Sequence, residues 1–90
     1  MHYQDTFLIE NRLGLHARAA SVLAQLALSF DAKVTLQQGD KEADGDSVLA
    51  LMLLEGAQGK EVKVTCSGPD AELALKTIGE LIANKFHEQE

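Results

Sequence analysis

Hydrophobic positions along the chain switch between a period of two and steps of three and four, and each switch predicts a change of secondary structure. Residues 5–10 (DTFLIE) set Phe7 and Ile9 two apart, as in a strand with one face buried. Residues 11–16 (NRLGLH) carry Asn and Gly and read as a loop. Ala19, Leu23, Leu26 and Phe30 then recur at steps of four, three and four, predicting a helix from about residue 17 to 29. Period two returns at 32–38, with Val34 and Leu36 inward, and a further strand is expected at 41–44 beyond the Gly39-Asp40 turn. Ser47 precedes the apolar run 48–54 and is placed to cap a short helix, which Glu55–Gly59 ends. In 60–67 Val62, Val64 and Cys66 alternate with polar residues, giving another strand. After Gly68-Pro69-Asp70, Ala71, Ala74, Leu75, Ile78, Leu81, Ile82 and Phe86 share one face of a last helix. Glu72 and Lys76 form an i,i+4 pair on its other side. The order β-α-β-β-α-β-α implies a two-layer α+β sandwich. With no internal repeat and no linker, residues 1–90 read as a single domain.

Composition narrows the function classes. Hydrophobic residues make up 46% and charged residues 24%, the balance of a folded globular chain. Eight Lys and Arg against fourteen Asp and Glu give a net charge of −6, which argues against nucleic acid and anionic membranes as partners. One cysteine, Cys66, allows no internal disulfide and points to a reducing, cytoplasmic setting. The first residues carry no signal-peptide pattern, and the apolar run 48–54 is far short of the ~20 residues of a bilayer span.

The acids are unevenly placed. Segment 11–30 contains Arg12 and Arg18 and no Asp or Glu. Within it, His16 stands at the loop-to-helix junction, where the first helical N–H groups lack partners and the helix dipole favours an anion. Arg18 offers a fork of donors suited to phosphate oxygens, and Gly14 permits a turn that presents the ring. Neutral imidazole is a nucleophile near pH 7 without a separate base, so a phosphorylated His16 is chemically sensible. No carboxylate or second histidine is expected nearby to drive hydrolysis, which favours a transfer intermediate over a hydrolase. The plain alternative is an exposed helix-start histidine with no role.

The run 48–54 is apolar on both sides: Val48, Leu49 and Met52 on one, Ala50, Leu51 and Leu54 on the other. A short helix on a sheet buries one side, so the other is expected to be a docking surface, unless loops cover it. Residues 40–46 imitate the front of an EF-hand loop, but Leu51 stands where a bidentate Glu is required, so no metal site is expected. Cys66 faces inward as a small core residue, and His2 and His87 make no metal pair.

The segment Leu13-Gly14-Leu15-His16-Ala17-Arg18-Ala19-Ala20, together with Asp46-Ser47-Val48-Leu49-Ala50-Leu51-Met52-Leu53-Leu54 and Ala57-Gln58-Gly59, resembles the HPr-like phosphocarrier proteins of the bacterial phosphotransferase system. The resemblance runs over about residues 5–86. It implies an open-faced sandwich, three helices covering one face of a four-stranded antiparallel sheet. It further implies that His16 accepts a phosphoryl group on Nδ1 from phospho-enzyme I and passes it to a IIA-type protein, with Arg18 stabilising the phosphate. Partners would dock on Leu15, Ala17, Ala19 and Ala20 together with Val48, Leu49 and Met52. The implied protein is a monomeric stoichiometric carrier with no cofactor rather than an enzyme. Ser47 matches a position that a kinase phosphorylates in some members, although Asp46 stands where those relatives often carry a basic residue. Ala19 replaces the proline common after the active-site arginine, which, with the aliphatic 48–54 helix and the acidic balance, points to the nitrogen-related branch. A docking module on the same fold that acts without obligatory phosphoryl transfer is the competing reading. A small-ligand-sensing domain, which would use a cleft, is a third.

Overall fold

The alternation at 60–67 becomes an inner strand, with Val62, Val64 and Cys66 fully buried. The computed structural model describes residues 2–88. Four strands, β1 (His2–Leu8), β2 (Lys33–Gln38), β3 (Lys41–Asp44) and β4 (Glu61–Ser67), form one sheet in the order β1-β4-β2-β3. All pairings are antiparallel. The register lines up the apolar positions across strands: Phe7 with Val62, Val64 with Leu36 and Leu36 with Ala43. Cross-strand rows of this kind are the unit of sheet stabilisation, and here they build one continuous buried face.

Helices α1 (Ala17–Leu28), α2 (Val48–Leu53) and α3 (Ala71–Ala83) cover that face, giving the open-faced sandwich expected. Ala19 and Leu23 of the predicted stripe are fully buried, and Leu26 and Phe30 are half-buried against the core. The predicted inward set of α3 is in the core as well, with Leu75 half-buried. Helix α3 lies directly on β1: a Cβ on Gly79 would stand 2.5 Å from the Phe7 ring, so any side chain there would have to displace the ring. Ser47 caps α2 as its position predicts, its Oγ accepting the Ala50 N–H at 3.1 Å.

Two boundaries differ from the sequence expectation. Strand β1 begins at His2 and ends at Leu8. Ile9 is buried just beyond it, its N–H donated to Lys60 O and its carbonyl accepting the Gly59 N–H, both at 2.9 Å. The last helix stops at Ala83, so Phe86 does not continue its apolar face. Lys85, Phe86 and His87 instead take φ of 57°, 56° and 63°, a left-handed turn that sends the fully buried Phe86 ring into the core by another route. That conformation costs roughly 1–2 kcal/mol per residue outside glycine.

The Cys66 thiol is free, and burial pushes its pKa up. No helix among the described residues is long and apolar enough to cross a membrane.

Candidate functional site

The loop that carries His16 is shaped by a buried amide and a glycine. Asn11 is fully buried and its Nδ2 donates to Gly14 O at 2.8 Å, while the Gly14 N–H returns to Asn11 O at 3.1 Å. Gly14 sits at φ 62°, and a Cβ there would lie 2.3 Å from Gly56 O. No side chain fits this approach. The next residue, Leu15, donates its N–H to the same Gly56 carbonyl at 2.9 Å, tying the loop to the segment after α2.

His16 follows as the N-cap of α1, with extended backbone at φ −74° and ψ 179°. The first intrahelical bond runs from Ala20 N–H to His16 O at 2.8 Å, so the N–H groups of Ala17, Arg18 and Ala19 precede it. The imidazole makes no capping bond of its own, and the first turn holds no acid. That leaves the positive end of the helix dipole beside a ring that spends no nitrogen on the cap.

The expectation of no carboxylate near His16 is corrected by the structure. Glu88, brought back by the left-handed turn, places Oε2 in hydrogen-bonding contact with His16 Nε2. The same oxygen accepts from Arg18 Nη2 at 3.0 Å, and Oε1 accepts from Asn11 Nδ2 at 3.0 Å. Arg18 Nη2 also donates to Phe86 O at 2.7 Å. Burial alone would raise the Glu88 pKa, but the bonds from His16, Asn11 and Arg18 and the proximity of the His16 ring hold it below the usual glutamate value. Asn11 Oδ1 is buried with no hydrogen-bond partner among the described residues, so the loop keeps this amide at a cost.

His16 and Arg18 are therefore brought together, the first about one-quarter and the second half exposed. The residues expected to form the docking surface divide. Ala17 is exposed, Val48 is half-buried, and Leu49 and Met52 are 68% and 43% exposed. Leu15, Ala19 and Ala20 are corrected: each is buried in the core and offers the surface nothing. Their inward direction follows from the Gly14 turn and from the face that α1 shares with Leu23. On α2, Leu51 and Leu54 are buried, as the two-sided pattern requires. Leu53 and Leu13, at 66% and 60% exposure, are apolar and exposed outside the predicted set. Asn11 and Glu88 are the site residues that sequence reasoning missed. Glu88 lies 72 residues from His16 and has no local signal. Among the described residues no cluster of His, Cys, Asp and Glu is placed to hold a metal ion, the EF-hand-like segment included.

Residues 3–84 match the family described as the PTS HPr component phosphorylation site. The chain belongs to the HPr family. The phosphocarrier protein NPr of Shewanella violacea is 50% identical over 78 residues, covering 87% of this chain and 86% of that one. The phosphocarrier protein HPr of Cupriavidus necator is 39% identical over 90 residues, covering the whole of both. Among solved structures, an HPr from Thermoanaerobacter tengcongensis (HPr-C-His) superposes with a TM-score of 0.93 at 34% identity, covering 98% of this chain and 99% of its own. As an HPr-family protein, the chain is a phosphocarrier of the phosphotransferase system, a role distinct from that of a catalyst in itself. The four-stranded antiparallel sheet with three helices is the family's fold.

Proposed function

We propose that this chain accepts a phosphoryl group on Nδ1 of His16 from a phosphohistidine of enzyme I and passes it to a IIA-type protein. The carrying observation is the state of the His16 ring: it caps α1 without using a ring nitrogen to do so, and its Nε2 is engaged by Glu88. Nδ1 is then the nitrogen with an uncommitted lone pair. In the transfer that lone pair attacks phosphorus, the Nδ1–P bond forms and the donor's N–P bond breaks. The ring becomes cationic, with its proton on Nε2. Arg18 and the first N–H groups of α1 face the incoming oxygens' charge.

Partners dock on Ala17, Val48, Leu49 and Met52; α2 packs beside α1, so the patch adjoins the chemistry. The nitrogen-related branch is favoured by the 50% identity to an NPr and by alanine at position 19. The carrier is read as a cytoplasmic monomer. Incubation with phosphoenolpyruvate and enzyme I is expected to give an acid-labile, base-stable phosphoprotein, and His16→Ala to give none. Equal labelling of His16→Ala would refute the assignment.

A second reading, a docking module independent of phosphoryl transfer, is supported by the exposed apolar side chains of Leu49, Met52 and Leu53 on α2. It requires His16→Ala to preserve function in cells while Met52→Asp abolishes it.

A further inference from the structure

The acid-free helix start acquires a carboxylate from far along the chain, and the manner of its delivery is informative. Three consecutive non-glycine residues take left-handed φ to bring Glu88 back over α1. Strained backbone of this kind persists only where the surroundings over-determine it, and it concentrates at functional sites. The surroundings here are the fully buried Phe86 ring, the Phe86 carbonyl held by Arg18 at 2.7 Å, and the Asn11 amide at 3.0 Å from Glu88 Oε1. Glu88 thus meets three donors from two segments distant in sequence, and its side chain is 15% exposed.

We infer that Glu88 is a positioning residue for phosphoryl acceptance: its carboxylate takes the Nε2–H of His16, leaves the lone pair on Nδ1, and holds Arg18 in fixed relation to the ring. This rests on the reading of His16 as the phosphoryl acceptor. An ionised carboxylate only accepts, so the nitrogen that touches it carries the proton. Neutral imidazole then has a single nucleophilic nitrogen, and Glu88 selects which one. As the Nδ1–P bond forms, the ring becomes cationic and the adjacent carboxylate stabilises it, the service an acid partner gives a catalytic histidine in hydrolytic triads. Among the described residues, Phe86 and Glu88 engage Arg18 through Nη2, which leaves its other N–H donors for phosphoryl oxygens. Asn11 completes the device: the amide that shapes the His16 loop through Gly14 also anchors Oε1, so ring and carboxylate share one support.

The test uses the full chain as wild type, Glu88→Ala and Glu88→Gln, with phosphoramidate as a small phosphoryl donor so that docking plays no part. In that reaction Nδ1 attacks phosphorus, the donor's P–N bond breaks and ammonia leaves. Wild type is expected to show the Nε2–H tautomer by 15N NMR of the neutral ring, and Glu88→Ala a mixture of tautomers with phosphorylation at Nδ1 slowed about tenfold. Glu88→Gln, which keeps an acceptor oxygen without the charge, is expected between the two. A merely structural role would lower the melting temperature and leave the tautomer alone. An unchanged tautomer and rate in Glu88→Ala would overturn the inference, and so would faster labelling, which would mean that the carboxylate blocks the site. If enzyme I labels no variant, the carrier reading itself fails, while the tautomer still decides whether Glu88 sets the ring.

Discussion

The start of α1 and the start of α2 are both helix N-termini capped by a single residue, yet they are built in opposite ways. Ser47 caps α2 with its own hydroxyl, satisfying an N–H at the cost of that oxygen's freedom. His16 caps α1 with its backbone alone and keeps its side chain for other work. The α2 site is local, made from consecutive residues of an apolar run. The α1 site is assembled from three segments: the Asn11–His16 loop, Arg18, and Glu88 at the end of a left-handed turn. A cap that consumes its side chain stabilises a helix. A cap that spares it leaves a polarised helix end beside a side chain that can meet other groups, and at α1 those groups come from elsewhere.

The sharpest way to break this contrast is at Gly14. Gly14→Ala puts a methyl 2.3 Å from Gly56 O at a φ of 62°, and the loop must move. A loss of about 2 kcal/mol or more, some 10 °C in melting temperature, is expected together with a large drop in His16 labelling. Calorimetry and the enzyme I assay read the two effects separately. Next in size is the apolar patch. Leu49→Asp or Met52→Asp is expected to weaken the phosphoryl partners about tenfold, seen as a raised KM, while labelling by phosphoramidate and the melting temperature stay near wild type. Ser47→Ala is smaller, about 1 kcal/mol and some 5 °C from the lost cap, with no effect on His16 chemistry.

Much of the fold was legible because its signals are local. The alternation of Val62, Val64 and Cys66 and the Ala19–Leu23 stripe each face the core for the reason their spacing predicts. His16 and Arg18 were legible because a helix start is visible in the residues around it. Leu15, Ala19 and Ala20 were misplaced because flanking His16 does not give exposure: Ala19 and Ala20 fall on the stripe of α1 that Leu23 shares with the core, and Leu15 turns inward in the loop before the helix. Phe86 satisfied the helical spacing of α3 and still left the helix, since spacing records burial and not the backbone path that achieves it. Glu88 was invisible because nothing in its neighbours encodes a partner 72 residues away.

Acid sharpens the comparison most gently. The folded-state pKa of Glu88 is depressed, so its docking contributes fully above the ordinary glutamate pKa and is lost as the pH falls through the lower folded value. NMR signals of Arg18, Asn11 and residues 85–88 are therefore expected to shift together in that acidic window. Those of Leu49 and Met52 are expected to stay in place.

The most direct measurement of the central claim is 15N NMR of the His16 ring after labelling by phosphoenolpyruvate and enzyme I. A lone pair kept on Nδ1 by the Glu88 carboxylate predicts phosphorus on Nδ1 and a proton on Nε2. Phosphorus on Nε2, the nitrogen that faces Glu88, or on any other residue, would contradict it.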